Sequence, residues 1–460
     1  MLTLFRWLLQ NETYLSWIRG DVPCLWISGD PGKGKTMLSI FLTEELERHT
    51  REVGAQLLFL FCSSQDEKRN KATAVLRCLV HQLITKRPDL FHHVSTHFED
   101  ENRNDTVSSP ETLWIVLKKL LHAPALGRVF CVLDGLDECD DASSRLLATI
   151  FGDFFASKKT GSTTGNFQLA IVSRRIRGLD AFPQVRLDPD HVGHVDSDIQ
   201  KFISDRVREL RKVDGFNDTL RNVVEKALLA RSQGTFLWVG FVMAELCNKS
   251  TPTEIMATLK DLPSGLPAIY DRMLLRTDKS RRAVLTKALR WVTMAVRPLT
   301  LRELAAVTGV QPAVAGLSSY QSIRDLVTWC GPILKIHHDT VSLIHQSAKD
   351  YLLRQTPSDD PEIEEFRISA EEAHAELTRT CLACLERSGL EERSWHDFEI
   401  WGESDLEYMC RGQDCRILIP PPGPTRPTTE SNQNLAPRPH FVPRPEALGT
   451  RCPDHEVDYS

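Results

Sequence analysis

The sequence predicts an α/β domain with a largely parallel sheet, followed by an all-α bundle, a small domain of helices with a hairpin, and a disordered Pro-rich tail. Up to about residue 190, apolar runs alternate with amphipathic segments, which is typical of parallel strands covered by helices. From Asp196 onward helical patterns dominate, until apolar runs at 333–336 and 341–344 predict a hairpin. Residues 411–460 are rich in proline and polar residues, a composition that does not bury a core.

Composition limits the classes of function. The chain has 460 residues, 41% of them hydrophobic, which suggests about three domains. Its formal net charge of −6 gives no sign of a nucleic-acid partner. No apolar run is long enough to span a bilayer, and the start lacks the features of a signal peptide. The twelve cysteines are scattered, and Cys381 and Cys384 form a C-x-x-C without a second pair, so we expect ordinary thiols in a reducing, cytoplasmic setting.

A phosphate-loop motif of the form G-x-x-x-x-G-K-[ST] lies between an apolar run at 24–27 and a helical pattern. It consists of Gly29, Asp30, Pro31, Gly32, Lys33, Gly34, Lys35 and Thr36. Its glycines allow successive N–H groups to converge on phosphate oxygens, and the helix adds the positive end of its dipole. Lys35 is expected to be an exposed ammonium that binds the β- and γ-phosphates, and Thr36 to ligate Mg²⁺. A P-loop NTPase domain is therefore predicted, with a chance match as the alternative.

An apolar run at 129–133 followed by acidic residues is the second chemical motif. Asp134 ends the predicted strand, where it would hold Mg²⁺ through water, as in a Walker B motif. Of the next two acids, Glu138 is the better candidate to orient an attacking water, with Asp137 assisting at the metal. A loop cap would explain these acids alone, but the phosphate loop upstream favours the Walker B interpretation.

Two more apolar runs, at 56–62 and 167–172, complete the predicted sheet. Arg174 and Arg175 come soon after the second run. Because ligands bind at the carboxyl edge of parallel sheets, Arg174 is expected near the γ-phosphate, and a solvated pair of arginines is the alternative. Helices are predicted at 72–86, 111–121 and 142–155, and loops at 99–105 and 157–166.

The second half of the chain has the pattern of a winged-helix unit. A turn at 261–267 precedes a helix expected from about Ala268. Thr300 and Glu303 have the spacing of a capping box, and a helix at 347–353 follows the hairpin. Winged helices often bind DNA, but no basic stripe marks these helices, so we expect an internal packing role.

These patterns divide the chain into six parts. They are a helical entry segment (1–20), a nucleotide-binding domain (21–190), a helical bundle (191–285), a winged-helix domain (286–360), a helical extension (361–410) and the Pro-rich tail (411–460).

The stretch from about residue 5 to residue 353 resembles the fungal NACHT-domain proteins, which are also described by a nephrocystin-like N-terminal domain. These are signal-transduction ATPases with numerous domains, akin to vegetative-incompatibility and NOD-like proteins. The matching stretches are 25–38, 133–139, 234–239, 266–274, 297–300 and 345–352. Position 175 departs from the family, because relatives usually have proline where this chain has Arg175.

The resemblance implies a nucleotide-dependent switch with slow hydrolysis. Members hold ADP or GDP when closed, exchange it for ATP or GTP with Mg²⁺, and then self-associate through the nucleotide-binding domain. The resemblance also implies that Arg174 contacts the γ-phosphate and that His345 contacts the β-phosphate of the resting diphosphate. A helix-capping or core histidine is the alternative for His345, and protein partners are unknown.

Two other functions stay open on the sequence alone. The chain could be an ATPase that cycles continuously, like a motor or a chaperone. It could also be a non-functional, truncated remnant, because the effector domain and the repeats that relatives carry have no counterpart pattern here.

Overall fold

The structure is a computed structural model that describes residues 4–66, 68–99, 103–156, 166–310 and 318–388. Residues up to Thr380 form one compact unit, and the described residues beyond it are the last turns of the final helix. The predicted tail at 411–460, most of the predicted loop at 157–166 and the end of the helical extension lie outside the described residues.

Five parallel strands form the central sheet, in the order β2-β3-β4-β1-β5. They are β1 (Cys24–Ser28), β2 (Gln56–Phe61), β3 (Val129–Asp134), β4 (Phe167–Ser173) and β5 (Gln184–Arg186). The first four lie where the apolar runs predict them, to within a residue at either end. The fifth was not predicted, because three residues are too few to show a periodic pattern.

The register of the sheet aligns the carboxyl ends of four strands. Ser28 pairs with Ser173, and Asp134 pairs with both Phe61 and Val172. The turns after these strands, which carry the predicted site residues, therefore start side by side at one edge of the sheet.

Helices cover the sheet and bury its strands almost completely. They are α1 (Glu12–Arg19), α2 (Lys35–Val53), α3 (Ala72–Lys86), α4 (Arg103–Ser108), α5 (Pro110–Leu121) and α6 (Asp141–Ala156). The loop predicted at 99–105 is wrong from Arg103 on, where α4 begins. This helix is short and charged, so it shows no apolar period, and Thr106 Oγ1 ties it to the carbonyl oxygen of His97 at 2.6 Å.

The outer edge of the sheet, at β2, is paired with a side chain. The amide of Gln82, on α3, accepts from the backbone N–H of Phe59 at 3.1 Å and donates to its carbonyl oxygen at 2.7 Å. It thus makes the two hydrogen bonds that a neighbouring strand would make with Phe59.

A helical part follows the sheet. It contains α7 (Val192–Val207), α8 (Asp218–Arg231), α9 (Phe236–Cys247), α10 (Pro252–Lys260) and α11 (Gly265–Leu275). The turn predicted at 261–267 is too long, because α11 already begins at Gly265 rather than near Ala268. Pro267 lies in the first turn of this helix, where no backbone N–H donor is needed.

The next elements form helices around a three-stranded antiparallel sheet of order β6-β8-β7. They are α12 (Lys279–Met294), β6 (Leu299–Thr300), α13 (Leu301–Thr308), α14 (Ser319–Trp329), β7 (Leu334–His337), β8 (Thr340–Leu343) and α15 (Gln346–Leu352). The predicted capping box of Thr300 and Glu303 is confirmed, as is the hairpin β7–β8. Two further helices, α16 (Pro361–Glu364) and α17 (Ala370–Ser388), end the described chain.

Candidate nucleotide-binding site

The phosphate-loop motif forms the turn between β1 and α2. Gly32 and Gly34 have left-handed backbone torsions, with φ of 78° and 80°. A Cβ at Gly34 would lie 2.8 Å from the ring of Phe236, and one at Gly32 would lie 3.2 Å from Thr235, so both positions require glycine. No side chain of the described residues caps the first N–H groups of α2, which therefore point at the turn uncapped. Such a turn has the geometry that binds phosphate.

Residues within the loop contact the turn after β5 and the helical part of the chain. The backbone N–H of Asp30 donates to Asp188 Oδ1 at 3.1 Å, and Lys33 Nζ donates to the carbonyl oxygen of Gln233 at 3.1 Å. Pro31 is half-buried. The Lys33 side chain thus bonds the backbone between α8 and α9, which leaves Lys35 as the lysine of the motif that serves the loop itself.

The Lys35 ammonium lies inside the loop. Its Nζ donates to the carbonyl oxygens of Gly29 and Asp30, at 2.7 and 2.9 Å. Burial lowers the pKa of Lys35, while the carboxylate of Asp137 opposes this shift. The expectation of an exposed ammonium is wrong, because the side chain is half-buried between the loop and the acidic turn after β3.

Thr36 and Asp134 lie together, as the two motifs predict. Thr36 Oγ1 donates to Asp134 Oδ2 at 2.8 Å, and Ser39 Oγ donates to Oδ1 at 2.8 Å. Burial raises the pKa of Asp134 to about 6, although both hydroxyl donors favour the carboxylate. A hydroxyl and a carboxylate are hard oxygen donors, and Mg²⁺ is typically bound by a few such groups, with phosphate and water completing its shell. Ser39 was not singled out from the sequence, although it lies one turn after Thr36 on α2.

Glu138 is the second buried acid at this edge. Its Oε2 accepts the backbone N–H of Ser64 at 3.3 Å. Burial and then the neighbouring carboxylate of Asp137 raise the pKa of Glu138 to about 7. A carboxylate with a pKa near neutrality is well matched to accepting a proton from water.

Asp137 contacts Arg174 rather than the predicted metal ligands. Its Oδ1 accepts the backbone N–H of Arg174 at 3.0 Å, and its Oδ2 lies 3.2 Å from Arg174 Nε. Arg174 Nη1 also donates to Asp350 Oδ2, on α15, at 2.6 Å. Arg175, by contrast, is 84% exposed and pairs with Asp180 at the surface. Asp350 was not predicted as a site residue, although it falls within the matching stretch 345–352, because it lies 176 residues from Arg174.

His345 is the N-cap of α15. Its Nδ1 accepts the backbone N–H of Ser347 at 3.0 Å, which leaves the ring proton on Nε2. Burial, and then the positive charges of Arg174 and Lys35, lower the pKa of His345 to about 4. The ring is therefore neutral at pH 7 and carries its proton on Nε2. Its Nδ1 caps α15, as the helix-capping alternative predicts.

Asp134→Asn is expected to abolish the part of nucleotide binding that depends on Mg²⁺. A carboxylate must be ionised to hold the cation, and the pKa of Asp134 is about 6. In the parent, the gain in affinity on adding Mg²⁺ should therefore disappear as the pH falls from about 8 to about 5. Calorimetry with and without Mg²⁺ measures both effects. Asp141→Asn, at an exposed position of α6, should behave like the parent, and an Asp134→Asn variant that retains the Mg²⁺ gain would contradict the metal assignment.

Comparison with known families identifies the class to which this fold and site belong. Residues 3–174 match the family model described as nephrocystin 3, N-terminal, and residues 270–366 match the one described as GPI inositol-deacylase, winged helix domain. These matches confirm the predicted resemblance to the nephrocystin-like, NACHT-type proteins.

Among its relatives is the vegetative incompatibility protein HET-E-1 of Podospora anserina. The two chains are 32% identical over 360 residues, which cover 75% of this chain and 26% of the relative. The chain thus matches about a quarter of the relative's length.

Two archaeal proteins are among the solved structures that match this chain in part. The Walker-type ATPase of Pyrococcus abyssi has a TM-score of 0.33 and 13% identity, with 74% of this chain and 93% of that chain covered. The ORC2 protein of Aeropyrum pernix, in ADPNP and ADP complexes, has a TM-score of 0.33 and 12% identity, with coverages of 81% and 91%.

Two kinds of feature, a membrane-spanning helix and a metal-binding cluster, are absent from the described residues. In this part of the chain, no helix combines the length and the apolar character that crossing a bilayer requires. Across the same residues, no group of three or more His, Cys, Asp or Glu side chains is arranged to hold a metal ion. The C-x-x-C of Cys381 and Cys384 lies within α17.

Proposed function

We propose that this chain is a nucleotide-binding signalling switch of the NACHT type. It holds ADP or GDP in a closed state and ATP or GTP with Mg²⁺ in an oligomeric state, with slow hydrolysis between them. The observation that carries the proposal is the contact between α15 and the sheet edge, where Asp350 pairs with Arg174 and where the charges of Arg174 and Lys35 act on the His345 ring. A switch needs such a contact, because a ligand shifts a conformational equilibrium only when its affinity differs between the two states.

Each residue of the site has a role in this proposal. The backbone of residues 29–36 and Lys35 bind the phosphates, while Thr36 and Asp134 hold Mg²⁺, which would supply charge neutralisation at the phosphates. Glu138 orients the attacking water and accepts its proton. Arg174 contacts the γ-phosphate, and Asp137 positions Arg174 rather than the metal.

Slow hydrolysis agrees with the electrostatics of the site. Arg174 is paired with two carboxylates in this arrangement, those of Asp137 and Asp350. This pairing would keep the guanidinium from a γ-phosphate and so lower the rate of hydrolysis in the closed state.

Identification of the co-purified nucleotide and a steady-state rate test the proposal together. A switch should retain a diphosphate through purification and turn over below about 1 s⁻¹, the low end for enzymes. A protein that purifies without nucleotide and hydrolyses ATP faster than this would instead be a continuously cycling ATPase. The retained base would also decide between adenine and guanine.

We further propose that activation leads to self-association through the nucleotide-binding domain. This activity, the unidentified protein partners, the domain boundaries near residues 190, 285 and 360 and the cytoplasmic location remain predictions. The relative matched here is about four times longer than the region compared, since the match covers 26% of it, so its own partners are not transferred.

His345→Ala should release diphosphate about tenfold faster and raise the oligomeric fraction without nucleotide exchange. The Nε2–H of His345 would donate to a β-phosphate oxygen, and a hydrogen bond to a charged acceptor is stronger than a neutral one. Fluorescent diphosphate displacement and light scattering measure the two effects. His337→Ala, at an exposed position of the hairpin that precedes α15, is the control.

A second variant separates the proposed bond from His345 to the β-phosphate from the capping of α15. His345→Asn keeps a good N-cap residue for α15 but is too short to present a donor where Nε2 lies. It should release diphosphate as fast as His345→Ala. If His345→Asn holds diphosphate as long as the parent, the histidine serves only to cap α15 and makes no bond to the β-phosphate.

A further inference from the structure

Arg174 is held by carboxylates from two different parts of the chain. Asp137, in the turn after β3, binds both its backbone N–H and its Nε, at 3.0 and 3.2 Å. Asp350, on α15, accepts from its Nη1 at 2.6 Å. The first pair joins neighbouring turns of one sheet edge and does not depend on the winged-helix unit. The second pair exists only while α15 lies against that edge.

We propose that Asp350 makes the closed arrangement selective for a diphosphate. Its carboxylate accepts from Nη1 of Arg174, a donor that a γ-phosphate would need. The inference rests on the proposed function, in which Arg174 contacts the γ-phosphate. It adds a residue that discriminates between the two nucleotides, and it assigns that residue to the winged-helix unit.

The discrimination follows from charge. Carboxylate and phosphate oxygens bind a guanidinium through the same donors, so they compete for Arg174 Nη1. A γ-phosphate placed at Arg174 would also lie close to the Asp350 carboxylate, and like charges at short distance repel. The side chains of Arg174 and Asp350 are 25% and 40% exposed, so water screens this repulsion only in part. While α15 is in place, a triphosphate therefore binds with a free-energy penalty that a diphosphate does not incur.

The position of α15 does not depend on Asp350. Tyr270, on α11, places its hydroxyl 2.9 Å from Ser347 Oγ, and the Tyr351 hydroxyl donates to Asp271 of the same helix. Gln346 Nε2 lies 3.5 Å from the other oxygen of Asp350. Loss of the Asp350 charge should therefore change nucleotide selectivity without detaching α15.

The test is the ratio of dissociation constants for Mg-ADP and Mg-AMP-PNP, with the guanine pair measured in parallel. Asp350→Asn should shift this ratio about threefold to tenfold toward the triphosphate analogue, the range expected for one partly exposed charge pair. Asp350→Glu, which keeps the charge, should restore most of the parent ratio. Gln65→Ala removes a different contact with the winged-helix unit, the bond of Gln65 Nε2 to the Leu343 carbonyl oxygen at 3.0 Å, and should leave the ratio unchanged.

A double variant shows whether the effect acts through Arg174. In an Arg174→Ala chain, adding Asp350→Asn should shift the ratio less than it does in the parent chain, because the competition for the guanidinium is gone and only the repulsion between Asp350 and the γ-phosphate remains. A parent-like ratio in Asp350→Asn, an equal shift in Gln65→Ala, or an undiminished shift without Arg174 would each overturn the role of Asp350. If the parent binds neither nucleotide, the proposed function fails with it; if the parent binds both and the ratio does not move, only this inference fails.

Discussion

Lys35→Ala should abolish tight nucleotide binding while the chain stays folded. Lys35 Nζ donates to two loop carbonyls, those of Gly29 and Asp30, so its ammonium lies where the phosphates are expected. Hydrogen bonds to charged groups contribute about 1.5–3 kcal/mol each, so the loss of two such bonds from Lys35 to phosphate oxygens would raise Kd about a hundredfold or more. Calorimetry with ADP and with GDP measures the change.

The fold should tolerate this substitution. Burial lowers the pKa of Lys35, which means that its charge is kept at a desolvation cost in the folded chain. Alanine removes that cost together with the two hydrogen bonds, so we expect a change in the free energy of unfolding within about 1 kcal/mol. Lys226→Ala, at an exposed position of α8, is the control. An unchanged Kd in Lys35→Ala would mean that phosphate is bound elsewhere.

Glu138→Gln should bind triphosphate normally and fail to hydrolyse it. Glutamine keeps the size of the side chain but does not accept a proton, and loss of a general base costs about a hundredfold to ten-thousandfold in rate. The Mg²⁺ ligands Thr36 and Asp134 are untouched, so the variant should accumulate in the triphosphate state. Single-turnover hydrolysis and the identity of the bound nucleotide measure this, with Glu44→Gln, exposed on α2, as the control.

The same variant should be more stable than the parent at high pH. In the folded chain the pKa of Glu138 is raised from 4.5 to about 7, so the folded state binds more protons than the unfolded state between these values. Stability conferred by the protonated group is therefore lost as the pH rises through this window. Glutamine does not ionise and escapes the loss. The melting temperature of Glu138→Gln should exceed that of the parent above about pH 7, with the difference vanishing near pH 4.5.

Parallel melting curves at all pH values would show that Glu138 is not buried as an ionisable group. Parent-like hydrolysis by Glu138→Gln would show instead that the acidic turn is a loop cap. The two readouts are independent, since the first concerns the folded chain alone and the second requires nucleotide.

Local motifs account for the parts of the site that the sequence predicts. The phosphate loop and Asp134 each follow a buried strand directly, so residue type and spacing are enough to place them. The parallel register then brings Thr36 to Asp134 without any further information. The sequence therefore predicts the positions of residues that end a strand or follow it directly.

Contacts between distant segments account for what the sequence does not predict. Asp350 pairs with Arg174 across 176 residues; the end of β4 marks Arg174, but nothing in the local pattern around Asp350 indicates this partner. The two-residue strand β6 exists only because Leu299 pairs with Val341. The capping of α15 by Nδ1 of His345 also depends on how this helix starts.

The side-chain pairing at β2 affects how copies of this chain can meet. Exposed strand edges allow β-sheets to continue from one molecule into the next, which leads to fibres. Here Gln82 already satisfies both backbone groups of Phe59, so a neighbouring strand would have to displace it. The opposite edge is a strand of only three residues. We therefore expect that any contact between copies of this chain would not extend the sheet through β2.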